Sequence, residues 1–232
     1  MTTVLLVRHG LTAMTGPVLA GRTPGVDLDE RGQLQAAKLA DRLAGVTISA
    51  IVSSPLERCL QTAQAIAANR DATVETDPRL IECGYGDWTG QEIKKLTKDP
   101  LWKVVQAHPS AVTFPGADGE AMRDAQVRAV DAVRSWNDAL GKDATWVACS
   151  HADIIKSVVA DALGMHLDTF QRIVVDPCSV TVITYTDLRP FVVRVNDSGT
   201  DLATLLAPPK GSRKRAKPAT SDAVVGGGAG GK

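Results

Sequence analysis

Long apolar runs are missing from this sequence: no stretch approaches the ~20 consecutive apolar residues that a membrane-spanning helix requires. The N-terminus shows no basic leader followed by an apolar segment, so no signal peptide is expected. Cysteine is scarce. Cys59, Cys83, Cys149 and Cys178 are scattered, with no Cys-x-x-Cys pair and no metal-ligand spacing. Their spacing argues against a disulfide framework or a structural zinc site and predicts free, mostly buried thiols in a reducing compartment. Net charge is lacking too, but only as a sum. Residues 207–232 hold six Lys/Arg and one acid of the 26 of each, which leaves residues 1–206 with 20 basic and 25 acidic groups, a net of −5. A mildly acidic body argues against nucleic acid as the main partner. The expectation is a soluble, cytoplasmic protein that binds neither membrane nor nucleic acid.

What is present reads as an ordinary globular chain, and 232 residues are enough to bury a sizeable core. Val4-Leu5-Leu6-Val7 predicts a buried strand that stops abruptly at Arg8-His9-Gly10. A strand end is a rigid mount for a reactive side chain, and Gly10 permits a sharp turn. Turn formers fill residues 11–29, and a helix follows over 30–44, with Ala36, Leu39, Ala40 and Leu43 at helical spacing. A strand over 48–53 leads to Ser54-Pro55, which predicts a helix start with serine as cap, proline in the first turn and Arg58 just behind. Further on come a strand over 73–76, a glycine-broken segment over 78–90 and a long helix over 120–140. A second buried strand over 146–149 ends at Ser150-His151; a helix over 153–163 and a closing hairpin over 180–185 and 191–195 complete the order. This alternation implies an α/β fold, a mostly parallel central sheet flanked by helices. From Ala207 the composition turns to proline, a basic cluster and glycine, with too little apolar content to pack. The expected organisation is a domain over 1–206 and a disordered tail over 207–232.

Ligands of open α/β sheets sit beyond the carboxyl ends of the strands. Two strands here end in histidine, His9 and His151, and a third feeds the helix that carries Arg58. Two histidines and two arginines therefore converge on one edge, where helix N-termini also favour an anion. Such a set, without a metal cluster, suits a phosphoryl group whose charge is held by the protein itself.

The same segments, in this order, resemble the histidine phosphatase superfamily, which includes the cofactor-dependent phosphoglycerate mutases. Arg8-His9-Gly10 matches its signature, and Ser53-Ser54-Pro55-Leu56-Glu57-Arg58-Cys59-Leu60-Gln61-Thr62-Ala63 matches the helix of its second arginine. Glu82 followed by Gly86-Asp87-Trp88-Thr89-Gly90 resembles the acid-donor segment, Ser150-His151 the second histidine, and Asp27-Leu28 with Gly32 and Gln35-Ala36 the lead into the first helix. The resemblance implies a three-layer α/β sandwich of the phosphoglycerate mutase type. It makes His9 the nucleophile that becomes a phosphohistidine, Arg8 and Arg58 the clamp on the phosphoryl oxygens, and His151 a further donor. Glu82 becomes the general acid and base, with Asp87 a rival nearby. It also implies no metal, no cofactor, a small phosphorylated metabolite as substrate and, by family habit, a homodimer.

Two departures stand out. Thr15 occupies the place of an asparagine that reaches the phosphate, and is shorter. Ala152 follows the second histidine where glycine is common, a harmless change unless the backbone there needs a positive φ. Arg22 is a candidate for the non-phosphate part of the substrate. Glu120 resembles a pocket-bordering glutamate of relatives, or equally a helix-start glutamate placed by the dipole. The reading is a metal-independent phosphatase. A phosphomutase is the runner-up, because the fate of the phosphohistidine separates the two; a non-catalytic phospho-ligand binder, marked by Thr15, is a further alternative. Segments 19–27, 100–102 and 106–109 resemble an actinobacterial branch labelled probable phosphomutase or phosphatase, which leaves the substrate open.

Overall fold

The computed structural model describes residues 1–201 and 225–227, so the expected tail over 207–232 lies outside the described residues except at 225–227. Strand β1 (Thr2–Arg8) sits at the centre for a reason visible in its composition. Val4 and Leu6 point to one face and Leu5 and Val7 to the other, and all four are buried. A strand apolar on both faces belongs between two layers. In chain order follow α1 (Glu30–Leu43), β2 (Ala50–Ser53), α2 (Glu57–Ala67), β3 (Val74–Thr76), α3 (Ile93–Leu96), α4 (Pro100–Ala107) and α5 (Met122–Leu140). The series ends with β4 (Thr145–Ser150), α6 (Ala152–Ala162), β5 (Val180–Tyr185) and β6 (Pro190–Asp197).

The sheet runs β3-β2-β4-β1-β5-β6, with β3, β2, β4 and β1 parallel and β5 and β6 added as an antiparallel hairpin. On one face Leu5, Val7, Ile51 and Val147 pack with Ala36 and Leu39 of α1 and with Ala63 and Ile66 of α2. On the other, Val4, Leu6, Val52 and Trp146 pack with Ala129 and Val133 of α5 and with Ile155 and Val159 of α6. This is the three-layer, mostly parallel α/β sandwich expected from the sequence. All four cysteines are free and buried. Among the described residues no helix is long and apolar enough to cross a membrane.

Three local expectations are corrected. The helix after β2 begins at Glu57 rather than at Ser54-Pro55, and Leu56 at its N-cap supplies no side-chain hydrogen bond. Ser54 precedes the N-cap: its hydroxyl lies 2.8 Å from His151 Nε2 and accepts a long hydrogen bond, 3.4 Å, from the Leu56 N–H. The long helix starts at Met122, and Glu120 precedes it, held by Arg22 and by Arg128 of the helix itself. Gly10 is demanded by proximity rather than by a turn: a Cβ there would lie 2.7 Å from the carbonyl oxygen of Gly32, where the first turn of α1 crosses the chain.

Candidate active site

Strand register assembles the site. β1 and β4 are parallel neighbours with Arg8 opposite Ser150, so the next residues, His9 and His151, leave the sheet side by side. The two rings meet edge to face with centroids 5.2 Å apart. β2 is the other neighbour of β4, with Ser53 opposite Cys149, which brings Ser54 to the His151 Nε2. The chain then enters α2, and Arg58 in its first turn reaches back across both histidines. Its Nε donates to His9 Nε2 and its Nη2 lies beside His151 Nδ1, each at 3.3 Å, while Nη2 also donates to the Gly21 carbonyl at 2.6 Å. Arg58 Nη1 is buried and has no hydrogen-bond partner among the described residues. Arg8, only 1% exposed, donates from Nη1 to the Val175 carbonyl at 2.7 Å.

The surroundings set the protonation of His9. Nδ1 lies 2.7 Å from the Gly10 carbonyl, and a carbonyl only accepts, so Nδ1 carries the proton and Nε2 holds the lone pair. Burial, then the charges of Arg58 and Arg8, hold the imidazole well below its usual pKa, against the opposing pull of the Gly10 hydrogen bond. His151 is depressed likewise, by burial first and then by Arg58 and His9. Both rings are therefore neutral at pH 7.

Glu82 shows the opposite shift. It is 4% exposed, and burial, followed by the negative charge of Asp153, raises its pKa to about 7; the Cys83 N–H and the charges of Arg58 and Arg8 act the other way. Its Oε1 accepts from the Cys83 N–H at 2.9 Å, and its Oε2 lies 4.0 Å from His151 Nδ1. A carboxyl that titrates near neutrality can give a proton and take it back at pH 7.

The loop that carries Glu82 is pinned by a second set of charges. Arg128 of α5 donates to the carbonyls of Arg79, Ile81 and Glu82 at 2.6, 2.7 and 3.1 Å, and to both carboxylate oxygens of Glu120 at 2.7 and 2.9 Å. Arg22 closes the set, donating to the Glu82 carbonyl and to Glu120, each at 2.8 Å. Burial pushes the Glu120 pKa up, but the hydrogen bonds and charge of Arg128, the Gly84 N–H and the charge of Arg22 outweigh it, and the net shift is downward. Replacing Arg128 with alanine leaves three carbonyls and a half-buried carboxylate short of partners. The expected cost is about 2–3 kcal/mol of folding stability. Urea denaturation measures it, and a loss under half a kcal/mol would show that water replaces the guanidinium freely.

Arg8, His9, Arg58 and Glu82 line one cleft, together with Thr12, Thr15 and Tyr85. His151 and Ala152 are fully buried behind it and do not line it. His151, expected to donate to the phosphoryl oxygens, meets Arg58 and Glu82, and its ring lies 5.2 Å from that of His9. Ala152 is the first residue of α6, with helical backbone, so no positive φ is needed there. Thr15 borders the cleft, but its hydroxyl lies 2.9 Å from that of Thr12 and accepts from the Thr12 N–H. Arg22, expected at the substrate, is spent on the Glu82 loop and does not line the cleft. Asp87 is exposed on the turn facing Gly116. Sequence reading missed Ser54 as the partner of His151, and missed Arg128, Tyr85 and Asp153. The Tyr85 hydroxyl donates to Asp153 Oδ2 at 2.9 Å. Asp153 offered only the signal of an acid in a helix's first turn, which dipole complementarity explains without any site.

Comparison with known proteins adds four findings. The sequence profile described as "Histidine phosphatase superfamily (branch 1)" matches residues 4–198. Uncharacterized protein Rv0525 of Mycobacterium tuberculosis is 49% identical over 81 residues; the match takes in 35% of this chain and spans only 40% of that protein's length. Phosphoserine phosphatase 1 of Hydrogenobacter thermophilus is 31% identical over 205 residues, covering 84% of this chain and 92% of that protein. The 2,3-bisphosphoglycerate-dependent phosphoglycerate mutase of Thermoplasma acidophilum is 28% identical over 184 residues, with coverage of 79% and 87%.

Proposed function

This chain belongs to the histidine phosphatase superfamily, and from that premise we propose that it is a metal-independent phosphatase that hydrolyses a small phosphorylated metabolite through a phosphohistidine. The observation that carries the reading is the state of His9: a neutral ring whose Nδ1–H is tied to the Gly10 carbonyl and whose Nε2 lone pair stands in a cleft lined by two buried arginines. In the proposed reaction Nε2 attacks phosphorus as the ester P–O bond breaks. The bonding pair leaves with the alkoxide oxygen, which takes the Glu82 proton. The Glu82 carboxylate then takes a proton from water, the water oxygen attacks phosphorus, and the P–N pair returns to Nε2. Ester and water become alcohol and inorganic phosphate. Arg8 and the Nη1 of Arg58, which has no partner among the described residues, are suited to the phosphoryl oxygens, where planar guanidinium forks match the geometry. His151, beside Arg58 and 4.0 Å from Glu82, keeps clamp and acid in register.

Transfer of the phosphoryl group to a second substrate hydroxyl is the second reading, and the likeness to the Thermoplasma mutase favours it. The two are separated by following phosphate release in EDTA from a panel of sugar phosphates, phosphoserine, phosphoglycerates and nucleotides. Turnover that persists in EDTA with stoichiometric phosphate is the expected result. Interconversion of phosphoglycerates without phosphate release would establish the mutase, and loss of turnover in EDTA would end the metal-independent reading.

A further inference from the structure

We propose that the catalytic cleft is also the docking site of the chain's own C-terminal segment, residues 225–227, whose Gly227 carbonyl occupies the Arg8 position of a phosphoryl oxygen and so competes with substrate. The proposal rests on the phosphoryl-site reading above. Three contacts carry it, and residues 225–227 themselves line the cleft. Val225 is 2% exposed and joins the larger apolar cluster. The Gly226 N–H donates to Asp153 Oδ2 at 2.9 Å, the oxygen that also accepts from the Tyr85 hydroxyl. The Gly227 carbonyl accepts from Arg8 Nη2 at 3.3 Å. Asp153 and Arg8 are each 1% exposed, so the N–H and C=O of one Gly-Gly step are met by two buried charges of opposite sign. An aspartate is an unsuitable neighbour for a phosphoryl dianion but a good acceptor for a peptide N–H, which identifies backbone as the ligand on that side.

The passage is shaped for glycine. Gly226 and Gly227 stand at φ +75° and +74°, which L side chains rarely adopt. A Cβ on Gly227 would collide with the Ala152 Cβ and come within 3.0 Å of Arg8 Nη1, whereas one on Gly226 would crowd the movable end of Leu19 and make ordinary contact with the Tyr85 hydroxyl. The occupant is also displaceable. Gly227 brings a neutral acceptor to a guanidinium fork that binds an anionic oxygen more strongly. Because residues 202–224 tether it to the domain, the segment is present at an effective concentration that a free peptide lacks. The device raises the substrate concentration needed for half-saturation by a fixed factor and leaves kcat unchanged.

The test compares the full chain with its Gly227→Val variant, titrating inorganic phosphate by calorimetry and measuring initial rates with p-nitrophenyl phosphate. The variant is expected to bind phosphate about tenfold more tightly and to show a KM lower by the same factor at unchanged kcat, as removal of an internal competitor requires. On the unmodified chain, hydrogen–deuterium exchange of the peptide containing residues 225–227 should be slow without phosphate and fast with saturating phosphate. Equal phosphate affinity in both chains, with exchange indifferent to phosphate, would overturn the docking and leave the phosphoryl site standing. Phosphate binding to neither chain would overturn both.

Discussion

Exchange of His9 for alanine is expected to lower kcat/KM for every phosphomonoester substrate by on the order of 10⁴-fold or more, because it removes the only group proposed to form a bond to phosphorus. The residual clamp of Arg8 and Arg58 can still bind the phosphoryl group, so substrate affinity should change far less than turnover. A rapid-quench experiment with radiolabelled substrate makes the distinction chemical: the native chain should yield an acid-labile, base-stable label on protein, and the variant none. Turnover by His9→Ala at more than a few per cent of native would place the nucleophile elsewhere. Buried and 5.2 Å from the His151 ring, His9 contributes packing as well, so circular dichroism of the variant belongs in the same experiment.

The second large effect concerns Glu82. Its carboxyl must be protonated to assist the leaving group, and its pKa is raised to about 7, so kcat/KM should be flat below that pH and fall tenfold per unit above it. His9 and His151 are held well below their usual pKa and stay neutral over that range, so neither supplies the limb. Glu82→Gln should abolish the limb and cost roughly 10²–10⁴-fold with alkyl phosphates, whose alkoxides need a proton. With p-nitrophenyl phosphate the cost should be much smaller, because a nitrophenolate leaves without one. Asp153 is the largest charge raising the Glu82 pKa after burial itself, so Asp153→Asn should move the limb to lower pH. A limb that survives unaltered in Glu82→Gln would assign the acid to another group.

Much of the scaffold was legible in advance because its signals are local. The unbroken apolar run Val4-Leu5-Leu6-Val7 marks a strand buried on both faces, and helical spacing at Ala36, Leu39 and Leu43 marks the face of α1 that packs on the sheet. The failures share a cause of their own. Ser54-Pro55 carries the local marks of a helix start, yet the Ser54 hydroxyl goes to His151, 97 residues away, and the helix begins without it. Arg22 has the composition of a substrate-facing loop arginine, yet Glu120, 98 residues on, claims it.

By itself, then, the sequence determined the α/β order and the placing of His9, His151, Arg8 and Arg58 at or just beyond strand ends, since each rests on residues close in the chain. Tertiary structure alone decided that His151 meets Ser54 and Arg58, that Asp153 lies close enough to raise the Glu82 pKa, that Arg128 and Glu120 hold its loop, and that residues 225–227 reach Arg8. Coulomb energies and hydrogen bonds depend on distance through space, and strand register, which no short segment specifies, sets those distances.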